Sequence, residues 1–288
     1  MTNKKKLLAV AQKNFVNYLR KQNKASATIL AYGNDIAQLI EFLQSQKITQ
    51  VTSINQQHLE NFKKELAKRK YNIKSIARKT NSIKAFFRYL KTENLVSKDP
   101  SASLTHPHYE ATPPRIFSKM EYRALRDAAR NEPRTAAIIE LLLQTGMRIS
   151  ELARLELKDI SEKEIKIRAY ETHPERTVPL NQAARRALER YLKIRPKTKT
   201  TRLFITRFGR PFLVRNMRTA IKRFFQVAGI KNAKINDLRH TFIAHQLMNG
   251  APLVFVQKLV GHKRLTTTER YLSFISKKEV KKIELKEL

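Results

Sequence analysis

The sequence contains no cysteine, so neither a disulfide nor a cysteine-ligated metal can contribute to its fold or its chemistry. Carboxylates are scarce: 24 Asp and Glu stand against 59 Lys and Arg, a formal net charge of +35. Long apolar runs are missing too. Near the start, three lysines precede an apolar stretch over 7–11 that is too brief for a signal-peptide core, and no later stretch is long enough to span a membrane. A soluble cytoplasmic protein with no membrane partner is the expectation. The chain has no internal repeat and no low-complexity tract.

What is present is a sizeable core and a large positive charge. Hydrophobic residues make up 41% of 288, enough for two modest domains or one large one. A charge of +35 repels itself in a folded chain unless a polyanion neutralises it, and nucleic acid is the natural one, because each neutralised phosphate releases counterions. The excess is not a basic tail: residues 1–110 carry a net +13 and the remainder +22. Lysines decorating solvated faces are the plainer alternative. Charge alone does not separate DNA from RNA.

Helical periodicity dominates the first hundred residues. Ser26 is placed to cap a helix carrying Ile29, Ile36, Leu39, Ile40 and Leu43 at helical spacing. A second helix from about Gln56 sets Leu59, Phe62 and Leu66 on one face. A third, from near Ser75, turns Ile76, Ile83, Phe86, Phe87 and Leu90 inward and holds Lys74, Arg78, Lys79, Lys84 and Arg88 on its other face. With Leu8, Phe15 and Leu19 from an opening helix, these make a small bundle. Residues 99–116 hold four prolines without periodicity and read as a linker. Beyond it come helices over about 118–129 and 135–144, then alternating segments at 164–169 and 177–180 that suggest a small hairpin, then further helices.

Four motifs follow the linker. Thr145-Gly146-Met147-Arg148-Ile149-Ser150-Glu151-Leu152 places an arginine just after a glycine that ends an apolar helix. Asp237-Leu238-Arg239-His240 comes next, then Gly261-His262, then Tyr271 nine residues later. Taken singly each has an ordinary explanation: a helix C-cap at Gly146, a surface arginine, a loop histidine, a half-buried tyrosine.

Together, in this order and spacing, they resemble the tyrosine recombinase (phage integrase) family, and the resemblance covers nearly the whole chain. It is most similar to the two-domain, Xer-like members. The resemblance implies a mainly α fold with a small antiparallel β-sheet in the catalytic domain, and two domains forming a C-shaped DNA clamp. Residues 1–104 correspond to a helical core-binding domain, 105–116 to the linker and 117–288 to the catalytic domain. It further implies a site-specific recombinase that cleaves and rejoins double-stranded DNA with no cofactor and no metal. Tyr271 would attack phosphorus to form a 3′-phosphotyrosyl intermediate. Arg148 and Arg239 would clamp the nonbridging oxygens, whose paired geometry a guanidinium matches. His262 would hydrogen-bond the scissile phosphate.

Two positions depart from the family pattern. The residue three before the second arginine is usually histidine and here is Asn236, whose amide donates a hydrogen bond but exchanges no proton near neutral pH. A hairpin lysine that protonates the leaving 5′ oxygen in relatives is replaced, on alignment back from Glu175-Arg176-Thr177-Val178-Pro179-Leu180, by Glu171. Lys166 or Arg168 reaches in instead if the hairpin pairs differently. The alternative is a catalytically weak or inactive DNA-binding relative.

The DNA-contacting set expected from charge and resemblance is Lys74, Arg78, Lys79, Lys84 and Arg88 in the first domain, and Arg215, Arg218 and Lys222, with Arg223, on a helix before Gly229 in the second. Most would grip phosphates and carry no sequence information. Val280, Ile283, Leu285 and Leu288 in the tail need a groove to cover them; the family resemblance implies that it belongs to a neighbouring protomer, giving a homo-tetramer on two DNA sites or a hetero-tetramer with a related recombinase. Packing of the tail on its own domain is the alternative.

Overall fold

The computed structural model describes residues 6–108 and 112–274; the tail positions Val280, Ile283, Leu285 and Leu288 lie outside them. The chain divides into two compact units, 1–111 and 112–288. Both are helical, and the one sheet among the described residues is a two-stranded antiparallel ribbon. The expected mainly α fold with a small antiparallel sheet is therefore the observed one. No described helix is long and apolar enough to cross a membrane.

The first unit holds α1 (Leu8–Lys21), α2 (Ser26–Ser45), α3 (Gln56–Lys68) and α4 (Ile73–Thr92). Leu8, Phe15 and Leu19 from α1 meet Ile36, Leu39 and Leu43 from α2 and Phe86, Phe87 and Leu90 from α4 in one buried cluster. The helix starts follow local chemistry. Asn55 and His58 form a reciprocal capping box before α3, and the Asn72 side chain accepts from Lys74 N to start α4. Ala25, not Ser26, stands at the capping position of α2, so that expected cap is displaced by one residue.

The basic face of α4 is divided. Lys74 and Arg88 are exposed and Lys84 is half-buried. Lys79 is 3% exposed: its Nζ donates to Asp35 Oδ1 at 2.8 Å and Gln38 Oε1 at 2.6 Å. Asp35 also accepts from Ser82 Oγ at 2.7 Å and from the Arg78 guanidinium. The expectation of Lys79 on a DNA-facing surface is thus corrected. Asp35 sits inside the bundle, and a buried carboxylate needs a compensating cation, which only a side chain turned inward can supply.

The second unit holds α5 (Lys119–Ala129), α6 (Pro133–Thr145), the single turn α7 (Ile149–Leu152), β1 (Glu164–Ile167), β2 (Arg176–Pro179), α8 (Gln182–Ile194), α9 (Val214–Val227), α10 (Ile235–Met248), α11 (Leu253–Val260) and the single turn α12 (Thr266–Glu269). Helix α6 is buried along most of its length, with Ala137, Ile138, Ile139 and Leu141 at 0% exposure. A helix buried on nearly all sides is central, and the others pack around it. The hairpin pairs Ile165 with Val178 and Ile167 with Arg176; β1 ends two residues short of its expected limit and β2 begins and ends one residue earlier than expected. A second apolar cluster joins Phe242, Ile243 and Leu247 of α10 to Val256 and Val260 of α11 and to Tyr271.

Candidate active site

Two helices aim their C-terminal ends at one place. α6 ends at Gly146 and α11 at Gly261, both with φ in the left-handed region (60° and 68°). At Gly146 the requirement is double, since a side chain there would also strike the Phe242 ring. Helix C-termini leave carbonyls without intrahelical partners and carry partial negative charge. Here guanidinium groups take up those carbonyls. Arg239, 7% exposed, donates from Nη1 to Gly146 O at 2.6 Å and from Nη2 to Val260 O at 2.7 Å. Arg148 donates from Nη2 to Gly261 O at 3.2 Å and from Nη1 to Glu151 Oε1 at 3.0 Å.

The hydrogen-bond partners that hold Arg239 in place are carbonyls rather than carboxylates. Burial, reinforced by Arg148 nearby, lowers its pKa to about 9. Arg148 is shared with an acid, but that acid is already engaged. Glu151 accepts from Arg176 Nη1 at 3.0 Å and Nη2 at 2.6 Å, and from the Arg148 backbone N at 2.8 Å. Burial pushes its pKa up, yet these bonds and charges outweigh burial and hold it at about 2. Arg176 Nε donates in addition to Leu259 O at 3.0 Å, tying the hairpin to α11.

Tyr271 is 4% exposed. Its ring lies in the apolar cluster while its hydroxyl oxygen is 2.6 Å from His240 Nδ1. His262 lies with its ring 6.4 Å from the Tyr271 ring and nearly parallel to it, and its Nδ1 is 2.9 Å from Thr268 Oγ1. Burial, then the positive charges of Arg239 and Arg148, lower the His262 pKa to about 4, so its ring is neutral near pH 7. Asn236, one turn before His240 on α10, completes the group. Arg148, Asn236, Arg239, His240, His262 and Tyr271, with Arg218 of α9, line one cavity of about 580 Å³.

The sequence model of the phage integrase family matches residues 115–276 of this chain, and that of the phage integrase N-terminal SAM-like domain matches residues 13–94. The chain belongs to the phage integrase family. It is 30% identical over 284 residues to tyrosine recombinase XerC of Staphylococcus haemolyticus (strain JCSC1435), covering 95% of each chain. Among solved structures it resembles the XerA recombinase crystal structure (26% identity, TM-score 0.53, 93% of this chain and 94% of that one). It also shares the fold of a lambda integrase dimer bound to a COC′ core site (15% identity, TM-score 0.77, 97% and 80%).

All five residues expected to be catalytic face the same cavity. The exposed residues Arg215, Arg218 and Lys222 lie along α9, and Arg223 is engaged with Glu132. The hairpin candidates do not line the cavity. Lys166 Nζ is 3.0 Å from Glu175, and the Arg168 guanidinium is bound by Asp159 at 2.5 Å and Glu156 at 3.2 Å. Glu171 sits at the hairpin tip with φ 50°, exposed, accepting from the Tyr170 hydroxyl at 2.7 Å. Two residues escaped the sequence reading. Arg176 shares the inward face of β2 with Val178, a period-two signal that was legible. His240 lies four residues after Asn236, on the same helix face, and only the folded chain brings Tyr271 to it.

Proposed function

We propose that this chain is a site-specific DNA recombinase that cleaves and rejoins duplex DNA through a 3′-phosphotyrosyl intermediate on Tyr271. The observation that carries this reading is the meeting of the Tyr271 hydroxyl with two guanidinium groups in one cavity, one of them buried on carbonyl partners alone. A scissile phosphate entering there gives Arg239 and Arg148 a matching anion. As the Tyr271 oxygen bonds to phosphorus and the bond to the 5′ oxygen breaks, charge grows on the nonbridging oxygens that Arg148 and Arg239 hold. His262, neutral and fixed by Thr268, donates a hydrogen bond to the same phosphate. Storing the phosphoryl group on tyrosine retains the bond energy needed to reseal the strand.

The exposed cations of α9 and of α4, Lys79 excepted, grip flanking phosphates. A homo-tetramer on two duplexes, or a hetero-tetramer with a related recombinase, is part of this reading. A catalytically weak DNA-binding protein is the second reading, favoured by Glu171 at the hairpin tip and by the carboxylate pairing of Lys166 and Arg168.

One experiment separates them. A duplex selected from a random-sequence pool by the wild-type protein is nicked beside the cleavage position, incubated with enzyme and run on a denaturing gel. A covalent protein–DNA adduct formed by wild type and lost in Tyr271→Phe is the expected result. Specific binding with no adduct establishes the second reading.

A further inference from the structure

Attack by a tyrosine releases a proton. Burial raises the Tyr271 pKa above its ordinary value, and the opposing effects of Arg239 and Arg270 do not reverse this. A phenol that is protonated at rest must pass its proton on as the oxygen–phosphorus bond forms. Three side chains that share the cavity with Tyr271 invite comparison. The amide of Asn236 takes up no proton near neutral pH. His262 has Nδ1 committed to Thr268, and its ring lies beside the tyrosine ring rather than at the hydroxyl. His240 alone among them has a ring nitrogen on the reacting oxygen, Nδ1 at 2.6 Å.

We infer that His240 is the general base of strand cleavage and the general acid of religation, exchanging the phenolic proton with Tyr271 through Nδ1. The inference rests on Tyr271 being the nucleophile. In cleavage the Tyr271 oxygen bonds to phosphorus, its proton moves to His240 Nδ1, and the bond from phosphorus to the 5′ oxygen breaks. The departing 5′ oxygen takes its proton from water. In religation the 5′ hydroxyl attacks phosphorus and loses its proton to water, while the departing tyrosine oxygen regains the proton held on His240.

The surroundings suit this role. Burial lowers the His240 pKa, and Arg239 and Arg270 lower it further against the opposing pull of Asp237, so the free ring is neutral with a lone pair available. The position is also fixed by secondary structure. Residues 236 and 240 are one turn apart on α10, so an imidazole at 240 lies beside the position whose amide cannot exchange a proton. The tilted packing of the two rings, 5.8 Å between centroids, keeps the nitrogen at the hydroxyl.

The test uses the full chain and the selected nicked duplex. His240→Asn keeps a polar group near the hydroxyl but cannot take the proton; adduct formation should slow by roughly 10²- to 10³-fold, with binding to the duplex retained. Placing trifluorotyrosine at position 271 in that variant supplies a more acidic phenol and should recover most of the loss. Normal cleavage by His240→Asn overturns the inference, as does a slow variant that the acidic phenol fails to restore. A second measurement needs no variant of His240. Histidine ¹⁵N NMR of the wild-type protein, with the resonance assigned by its movement in Tyr271→Phe, should show the proton on Nε2, and a proton on Nδ1 overturns the inference. If Tyr271→Phe still forms the adduct, the nucleophile assignment itself fails and this inference goes with it. A normal wild-type adduct beside an unimpaired His240→Asn removes only the base.

Discussion

Arg176 on β2 grips Glu151 on α7 with two parallel hydrogen bonds, at 3.0 and 2.6 Å, and both side chains are almost fully buried. Glu151 also receives the backbone and side chain of Arg148. The hairpin, the turn that launches Arg148 and the end of α11 are therefore fastened at one carboxylate. This explains why an acid can lie so close to a phosphate site without repelling phosphate: its charge is already consumed.

Glu151→Gln should destabilise the protein by about 3 kcal/mol at pH 7, because it leaves the buried Arg176 without its charge partner. The sign of the pH dependence follows from a carboxyl held at about 2 against an ordinary 4.5. Its contribution is complete above pH 4.5 and fades as pH falls toward 2. The gap between wild type and variant in denaturant titrations should narrow over that interval. A constant gap would show that the carboxylate charge is not what matters.

Arg148→Lys and Arg239→Lys should each slow adduct formation by roughly 10²-fold or more, since an ammonium group cannot keep the contacts that fix the guanidinium and also present a planar pair of donors to phosphate. Binding of the uncut duplex should change far less. Near-normal cleavage rates in both variants would dismiss the clamp.

Asp35→Ala should lower stability by about 3–5 kcal/mol, because Lys79 would remain buried without a counter-charge. Adding Lys79→Met should return much of that loss, whereas independent sites would give additive losses. Denaturant midpoints of the two single variants and the double variant decide between these.

Replacing Arg215, Arg218 and Lys222 with alanine should weaken binding to all duplexes alike. It should also reduce the slope of log affinity against log salt by about one unit for each phosphate that is no longer neutralised. An unchanged slope would mean that this face of α9 is only solvated.

A duplex with a bridging 5′ sulfur at the scissile position has a leaving group that departs without a proton. With Lys166 and Arg168 both paired to carboxylates, cleavage of the sulfur substrate should outpace that of ordinary DNA, and Lys166→Ala and Arg168→Ala should leave the ratio unchanged. If either variant is slow on oxygen and normal on sulfur, that residue is the acid.

The sequence by itself determined the helical bundle, the hairpin, the family and five of the residues that share the cavity, because those depend on periodicity, on glycine at helix ends and on motif spacing. It could not decide the state of individual charges. Lys79 and Arg88 are alike in a charge count, yet one neutralises Asp35 inside the bundle and the other is exposed. Arg176 sits at a strand position that a periodic reading can only place inward, and its partner lies 25 residues away. His240 reads as the residue after an arginine until α10 and the segment bearing Tyr271 pack together and bring its ring nitrogen to the phenol. Local rules act over one or two turns of chain, whereas an ion pair or a proton transfer depends on which distant group tertiary packing places within about 3 Å.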